Sequence, residues 1–307
     1  MRYIKAMEAY ADSCNTAVTM GKFDGLHRGH QMLIDRIRAY ADKHQVKSVV
    51  VAFDMEPLHQ KMGLTGQKVI TNAERRYLLE DQVDVLLECP FTEEIYGMEA
   101  NAFIRSILLE RLHAKYIAVG EDFHFGHGRQ GDAALLKEWE KRGAFRVDIV
   151  KKERYHDREI SSTYIKEVLP DGEMELVNQL LGYPYTIIGE VVHGNRIGRT
   201  LGIPTMNLRP DSNKLLPAFG VYHCQVRLEG IWHNGICNIG IKPTVGDHNS
   251  ISIECHLFSY QGNAYGKEIE VRIFHKERGE RKFTDIAELK AQMQQDIQSG
   301  IEFFNLI

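Results

Sequence analysis

Two hydrophobic rhythms share this chain, and the change between them near Tyr183-Pro184-Tyr185 constrains the fold more than any other feature. Before it, short apolar runs alternate with helical patterns. Ala17 to Met20 reads as a buried strand, followed by a glycine-rich turn and an amphipathic helix from about His30. Val46 to Phe53 reads as a second strand with a helical pattern over Asn72 to Glu80. Val83 to Leu87 and Tyr116 to Val119 are further strands, separated by a helix over Ala100 to Leu112. Continuous apolar strands alternating with helices predict a parallel sheet covered on both faces, a doubly wound α/β domain over residues 1–182. Beyond the change come short alternating segments, Thr186 to Val192, Gly220 to Leu228, Ile236 to Ile239, Ile251 to Phe258 and Glu268 to Phe274, punctuated by glycine turns. They predict an antiparallel β-barrel over residues 183–307. It is closed by a C-terminal helix over Ile286 to Ser299, in which Ile286, Leu289, Met293 and Ile297 fall at helical spacing.

Composition narrows the partners. Lys and Arg number 38 against 42 Asp and Glu, a net charge of -4, which argues against non-specific nucleic-acid binding. The five cysteines are scattered without a CxxC pair, so neither a disulfide framework nor a zinc site is expected. Charged or polar residues interrupt every apolar run at the N-terminus, and no stretch reaches the ~20 apolar residues of a membrane span. A cytoplasmic enzyme without membrane contact is expected, and oligomeric state stays open.

Chemistry concentrates first in Gly21-Lys22-Phe23-Asp24-Gly25-Leu26-His27-Arg28-Gly29-His30, between the first strand and its helix. His27 and His30 share a face at helical spacing, Gly29 admits a ligand to the backbone, and the helix start offers free N–H groups to phosphate. Nucleotidyl transfer needs such a site, because it runs on positioning and charge stabilisation at phosphorus. Taken alone, a His-x-x-His pair is more often surface or core furniture than a site. Two further segments sit at comparable places. Gly120-Glu121-Asp122-Phe123-His124-Phe125-Gly126 follows another strand, and reads either as a site loop or as an aromatic turn packing the domain edge. Ser161, Ser162 and Thr163 precede a helix carrying Lys166, and serve equally as an N-cap or as phosphate contacts.

In this order, GKFDGLHRGH, FDMEP (Phe53 to Pro57), GEDFHFG and ISSTYIK resemble the adenylyltransferase module of the prokaryotic bifunctional riboflavin kinase/FAD synthetases. The resemblance implies that His27 and His30 bind the ATP phosphates and stabilise the α-phosphoryl transition state. It implies that Gly21, Phe23, Asp24 and Gly29 shape the nucleotide pocket, and that Asp122, Phe123, Ser161, Ser162 and Thr163 complete the ATP/FMN site. FMN would attack ATP directly, with no covalent intermediate, and pyrophosphate would leave with Mg2+. Met55-Glu56 departs from the family's usual Pro-His, and Lys166 from its usual Arg, which keeps the charge and loses the bidentate fork.

In the second half, His193 to Asn207 combines glycines, basic side chains and a Thr/Asn pair. A Thr hydroxyl and an Asn carbonyl are hard oxygen ligands suited to Mg2+, though a glycine-rich barrel corner reads the same way. The segment resembles the kinase's glycine-rich flap, with Gly194 and Arg199, and its Pro-Thr-x-Asn motif. Thr205 and Asn207 are thereby implied as Mg2+-ATP contacts, Glu254 in Ile253-Glu254-Cys255-His256 as the base for the ribityl hydroxyl of riboflavin, and Arg278 and Phe283 as flavin-side residues. The family's Leu-Asp-Phe-x-Gly-Asp-Leu-Tyr-Gly is here Phe258 to Gly266, with Ser259 and Asn263 at the acidic positions. Those losses are expected to loosen the flavin-side loop and weaken the kinase. The alternatives are a kinase-inactive flavin-binding barrel, an adenylyltransferase with another acceptor, and a flavin sensor without catalysis.

Overall fold

The computed structural model describes residues 1–64, 66–194, 197–242, 250–260 and 262–306, with backbone alone at positions 197, 199, 242 and 250. The chain divides into two compact units, Met1–Gln67 with Arg75–Ser161, and Lys68–Glu74 with Ser162–Ile307.

The first unit is built on a six-stranded parallel sheet. Its first four strands are β1 (Arg2–Lys5), β2 (Thr16–Gly21), β3 (Lys47–Asp54) and β4 (Val85–Pro90). β5 (Ala114–Gly120) follows, then the short ribbon β6 (His124–Phe125) with β7 (Gly131–Asp132), then β8 (Arg146–Val150). The order β1-β4-β3-β2-β5-β8 places β2 between β3 and β5. The chain therefore winds outward from β2 to one side and returns across it to start β5. In open α/β sheets ligands bind outside the carboxyl ends of strands at such a reversal, and here those are the ends of β2 and β5.

The helices of this region are α1 (Arg28–His44), α2 (Glu56–Lys61), α3 (Asn72–Leu79), α4 (Glu93–Tyr96), α5 (Ala100–Ala102) and α6 (Ala133–Lys141). α5 runs on as a π-helix over Phe103–Arg111, so the helix expected over 100–112 is present with a wider winding. Leu33, Ile34, Ile37 and Ala41 form the buried stripe of α1, spaced as a helix packed on a sheet requires. The predicted strands are all found. β1 and β8, at the two sheet edges, were not expected.

A small ribbon, β9 (Arg154–Tyr155) with β10 (Arg158–Glu159), closes the first unit. In the second unit, α7 (Ser162–Val168) and α8 (Met174–Leu181) precede the barrel strands β11 (Tyr185–Val192), β12 (Met206–Leu208), β13 (Gly220–Leu228), β14 (Ile231–Lys242), β15 (Ser250–Leu257) and β16 (Glu268–Gly279). A short α9 (Ile197–Thr200) lies before β12, and α10 (Ile286–Leu306) ends the chain. The six strands close as β11-β12-β15-β14-β13-β16, and α10 packs on β13 and β14.

The unit boundary falls at 161/162, before the change of rhythm at 182/183, because α8 belongs to the barrel. Met174, Val177, Leu180 and Leu181 are buried, and α8 packs on β11 and β16. Asn178 donates to the Ile273 carbonyl at 3.0 Å and accepts from the Tyr185 N–H at 2.7 Å. Residues 68–74 join this unit for another reason. Lys214 is fully buried and donates to Glu74 Oε2 at 2.6 Å, to the Val69 carbonyl at 2.9 Å and to the Thr186 carbonyl at 2.8 Å. The other Glu74 oxygen accepts from the Ile188 N–H at 3.1 Å. A buried ammonium and carboxylate so fully hydrogen-bonded escape most of the penalty of burial.

Candidate functional site

The loop from β2 into α1 is tightly bent. Phe23 (φ 47°) and Leu26 (φ 41°) both adopt the left-handed region, with Gly25 (φ 96°) between them. Non-glycine residues there are costly, and persist where the surroundings fix them; Phe23 and Leu26 are buried at 0% and 3% exposure. The bend delivers His27 to the N-cap of α1, yet its ring makes no capping hydrogen bond. The His27 and His30 imidazoles instead stack at 3.8 Å between centroids, and Phe23 backs His30 at 5.0 Å. A Cβ at position 29 would stand 3.3 Å from the His27 ring, so Gly29 is the residue that lets the ring fold back over the helix start.

His27 is buried and His30 half-buried, and the buried Nδ1 of each has no hydrogen-bond partner among the described residues. Burial pushes the His27 imidazole down to about 4, against the opposing pull of Asp24. It holds His30 well below its ordinary value, helped by His27 and by Arg75. Two neutral imidazoles with spare ring nitrogens therefore crowd the first turn of a 17-residue helix, where backbone N–H groups and the helix dipole favour an anion.

Arg75 carries no motif signal, and sequence reading missed it. It is 2% exposed, pairs with the buried Glu88 carboxylate and reaches the Lys22 carbonyl at 3.4 Å. Glu88 accepts in turn from the Tyr3 hydroxyl at 2.6 Å. A guanidinium placed this way ties the β2–α1 loop to β4.

Gly21 ends β2, and Gly120 ends the neighbouring β5. Just past β5, Asp122 is exposed and ion-paired with Lys152 at 3.0 Å, while Phe123 packs against the core and stacks on Phe125 at 5.6 Å. Met55 also packs against this core and precedes α2, where Pro57 occupies the first turn. Ser161 closes the first unit. Ser162 and Thr163 open α7, and Lys166 lies in its last turn.

The barrel brings its own set together. Asn207 stands directly opposite Glu254 across the β12–β15 ladder, and Glu254 directly opposite Asn238 across β14–β15. The Thr205 hydroxyl lies 3.5 Å from the Glu254 carboxylate, and His256 Nδ1 contacts the Pro204 carbonyl at 2.9 Å, pinning the Pro-Thr-x-Asn turn to β15. A Cβ at Gly194 would overlap the buried Asn207 carboxamide, so only glycine lets the flap backbone lie on it. Hydroxyl, carboxamide and carboxylate oxygens side by side make a hard donor set, which fits Mg2+. No cluster of three His, Cys, Asp or Glu suited to a metal occurs among the described residues. Any such ion would therefore lean on Thr205, Asn207 and substrate phosphates. Arg199 lies in α9, where its side chain is outside the described atoms. Arg278 is engaged by Asp296, through Nε at 3.0 Å and Nη2 at 2.8 Å.

Of Ser259 and Asn263, the two positions where acidic residues were expected, one has a structural answer. Asn263 Oδ1 accepts from the Tyr265 N–H at 3.1 Å, the turn-forming bond that an aspartate would make.

Comparison with known proteins follows the same division. Residues 9–164 match the family model described as FAD synthetase, and residues 181–304 the model described as riboflavin kinase. A bifunctional riboflavin kinase/FMN adenylyltransferase of Haemophilus influenzae is 37% identical over 292 residues, 94% of each chain. A protein of the same description from Escherichia coli K12 is 36% identical, over 94% of this chain and 93% of its own. Among solved structures, one described as a macrolide-efflux protein from Streptococcus pneumoniae superposes with a TM-score of 0.84 at 29% identity, over 96% of both chains. No helix among the described residues here is long and apolar enough to cross a membrane.

Proposed function

The chain belongs to the bifunctional riboflavin kinase/FMN adenylyltransferase family, and from that premise we propose how its residues divide the work. It is an FAD synthetase that transfers AMP from ATP to FMN, giving FAD and pyrophosphate, and a riboflavin kinase that makes FMN from riboflavin and ATP. The single observation that carries this is the match of both activities, in order, to the two halves of one chain.

In adenylyl transfer, an FMN phosphate oxygen forms a bond to the α-phosphorus of ATP as the bond to the β-phosphate oxygen breaks. Charge gathers on the phosphoryl oxygens. We assign His27 and His30 as donors to them, through the ring nitrogens that the fold leaves without partners. Gly21, Phe23, Asp24 and Gly29 shape the cradle and the α1 N–H groups line it. Asp122, Phe123, Ser161, Ser162, Thr163 and Lys166 complete the ATP/FMN contacts in this reading.

In the kinase, the ribityl 5′-hydroxyl attacks the γ-phosphorus, its proton passes to Glu254, and ADP leaves. Thr205 and Asn207 would hold Mg2+, which would supply charge neutralisation of the phosphates; Gly194 and Arg199 belong to the flap over them, and Arg278 faces the flavin. A reaction in the cytoplasm on small molecules, without nucleic acid or membrane, fits this chemistry.

The test is pyrophosphate release from ATP with FMN, pantetheine phosphate or nicotinamide mononucleotide as acceptor, in Mg2+. Release with FMN alone is expected. Release with another acceptor and none with FMN would sink the reading.

A further inference from the structure

One ladder row runs around the barrel wall through Asn207, Glu254, Asn238, Val221 and Arg278, each directly opposite the next on neighbouring strands. Residues so paired share one face of a sheet. From Glu254 to Arg278 is three strand spacings, roughly 14 Å along the wall. That is of the order of the length of a polyol chain joined to a three-ring system, whose hydroxyl would meet Glu254 while its carbonyl-bearing ring end would meet Arg278 in the reading given above. α10 lies over the same face, because a Cβ at Gly300 would touch Ile236, two residues from Asn238 on β14.

Arg278 does not stand free at the end of this row. Its Nε and Nη2 donate to the Asp296 carboxylate at 3.0 and 2.8 Å, and its Nη1 donates to the Gly279 carbonyl at 3.1 Å. Asp296 is 1% exposed and takes a further hydrogen bond from Gln292 at 2.8 Å, one turn earlier on α10. The Phe283 ring sits 5.8 Å from the guanidinium. A guanidinium has five N–H donors in a fixed planar fork. Asp296 takes the Nε edge, so the Nη1–Nη2 edge carries the remaining donors, in a direction that Asp296 sets.

We propose that Asp296 is a positioning residue for riboflavin phosphorylation: from α10 it aims the outer edge of Arg278 at the carbonyl groups of the flavin ring. The proposal rests on the reading of Arg278 as a flavin contact. It makes α10 part of the kinase's flavin site rather than a mere lid on the barrel. Carboxylate and guanidinium form a bidentate pair, whose geometry a carboxamide cannot reproduce.

The experiment uses the full chain, whose adenylyl transfer serves as an internal control. Asp296→Asn should raise the riboflavin KM about tenfold, the cost of one misdirected hydrogen bond. The ATP KM of the kinase and the rate of FAD formation from added FMN should hold. Arg278→Ala should raise the riboflavin KM at least as far, and the double variant should match Arg278→Ala alone. A riboflavin KM unmoved by Asp296→Asn while Arg278→Ala raises it overturns the proposal and leaves the Arg278 reading standing. An unmoved KM in Arg278→Ala overturns both. An extra loss in the double variant shows Asp296 acting by another route and overturns the proposal. If Asp296→Asn lowers the melting temperature, the apolar pair Arg278→Leu with Asp296→Leu removes both charges from the interior. Its riboflavin KM should still be raised, and a normal KM there is contradictory.

Discussion

Glu254 stands directly across the β12–β15 ladder from Asn207, with the Thr205 hydroxyl 3.5 Å from its carboxylate. The proposed base and the proposed metal ligands are thereby held on adjacent strands of a closed barrel, the rigid setting that general-base catalysis requires. Glu254→Gln keeps the shape and cannot accept the proton. Its expected phenotype is a loss of about 10²–10⁴ in riboflavin phosphorylation, read as ADP release, with adenylyl transfer to added FMN unchanged.

His30→Ala removes one of two stacked rings whose Nδ1 has no partner among the described residues. FAD formation from FMN should fall by about 10²–10³, roughly 3–4 kcal/mol of transition-state stabilisation. Riboflavin phosphorylation by the same preparation reports that the variant is folded. Near-normal FAD formation would remove the phosphate assignment.

The stacked histidines also make stability depend on pH. Burial lowers His27 to about 4, so between the ordinary histidine value and about 4 the unfolded chain binds a proton that the folded chain refuses. Stability should be level above about pH 6.5 and fall as pH drops toward about 4, by about 3 kcal/mol from His27 alone. Urea denaturation at stepped pH measures this, and His27→Gln should reduce the slope, leaving the share of His30. An equal slope in that variant would place the effect elsewhere.

Lys214 and Glu74 predict a reversal of sign. In the full chain Lys214→Met leaves Glu74 buried and unpaired, and should cost about 3–5 kcal/mol. A fragment 162–307 lacks Glu74 and the Val69 carbonyl, so Lys214 loses its carboxylate partner while the Thr186 carbonyl and the Tyr185 ring face remain. There Lys214→Met should stabilise. Thermal melts of the four proteins decide it, and destabilisation in both contexts would contradict this account of the pair.

Much of this architecture was legible because apolar rhythm reports burial: α1 to β5 and the barrel strands carry it plainly. β1 and β8 escaped notice as short edge strands, each with charged residues, and β12 because it has three residues, Met206–Leu208, and begins inside the Pro-Thr-x-Asn segment. The motif loops were readable, since histidines and glycines at fixed spacing announce their chemistry. Arg75, Asn238 and Asp296 were not, because each gains its meaning from a partner distant in sequence. Asn263 shows the converse. Its lost charge looked like a weakened loop, yet its side chain keeps the turn by capping Tyr265, so Asn263→Asp should leave riboflavin KM within about twofold, as for a substitution that keeps an Asx turn.

The most direct measurement follows products by chromatography after riboflavin, ATP and Mg2+ are given to the wild-type chain, His30→Ala and Glu254→Gln. The wild type should pass through FMN to FAD. His30→Ala should stop at FMN, and Glu254→Gln should leave riboflavin unchanged while still converting added FMN to FAD. FAD from riboflavin at the wild-type rate in either variant, or no FAD from the wild type, would contradict the assignment of one reaction to each set of residues.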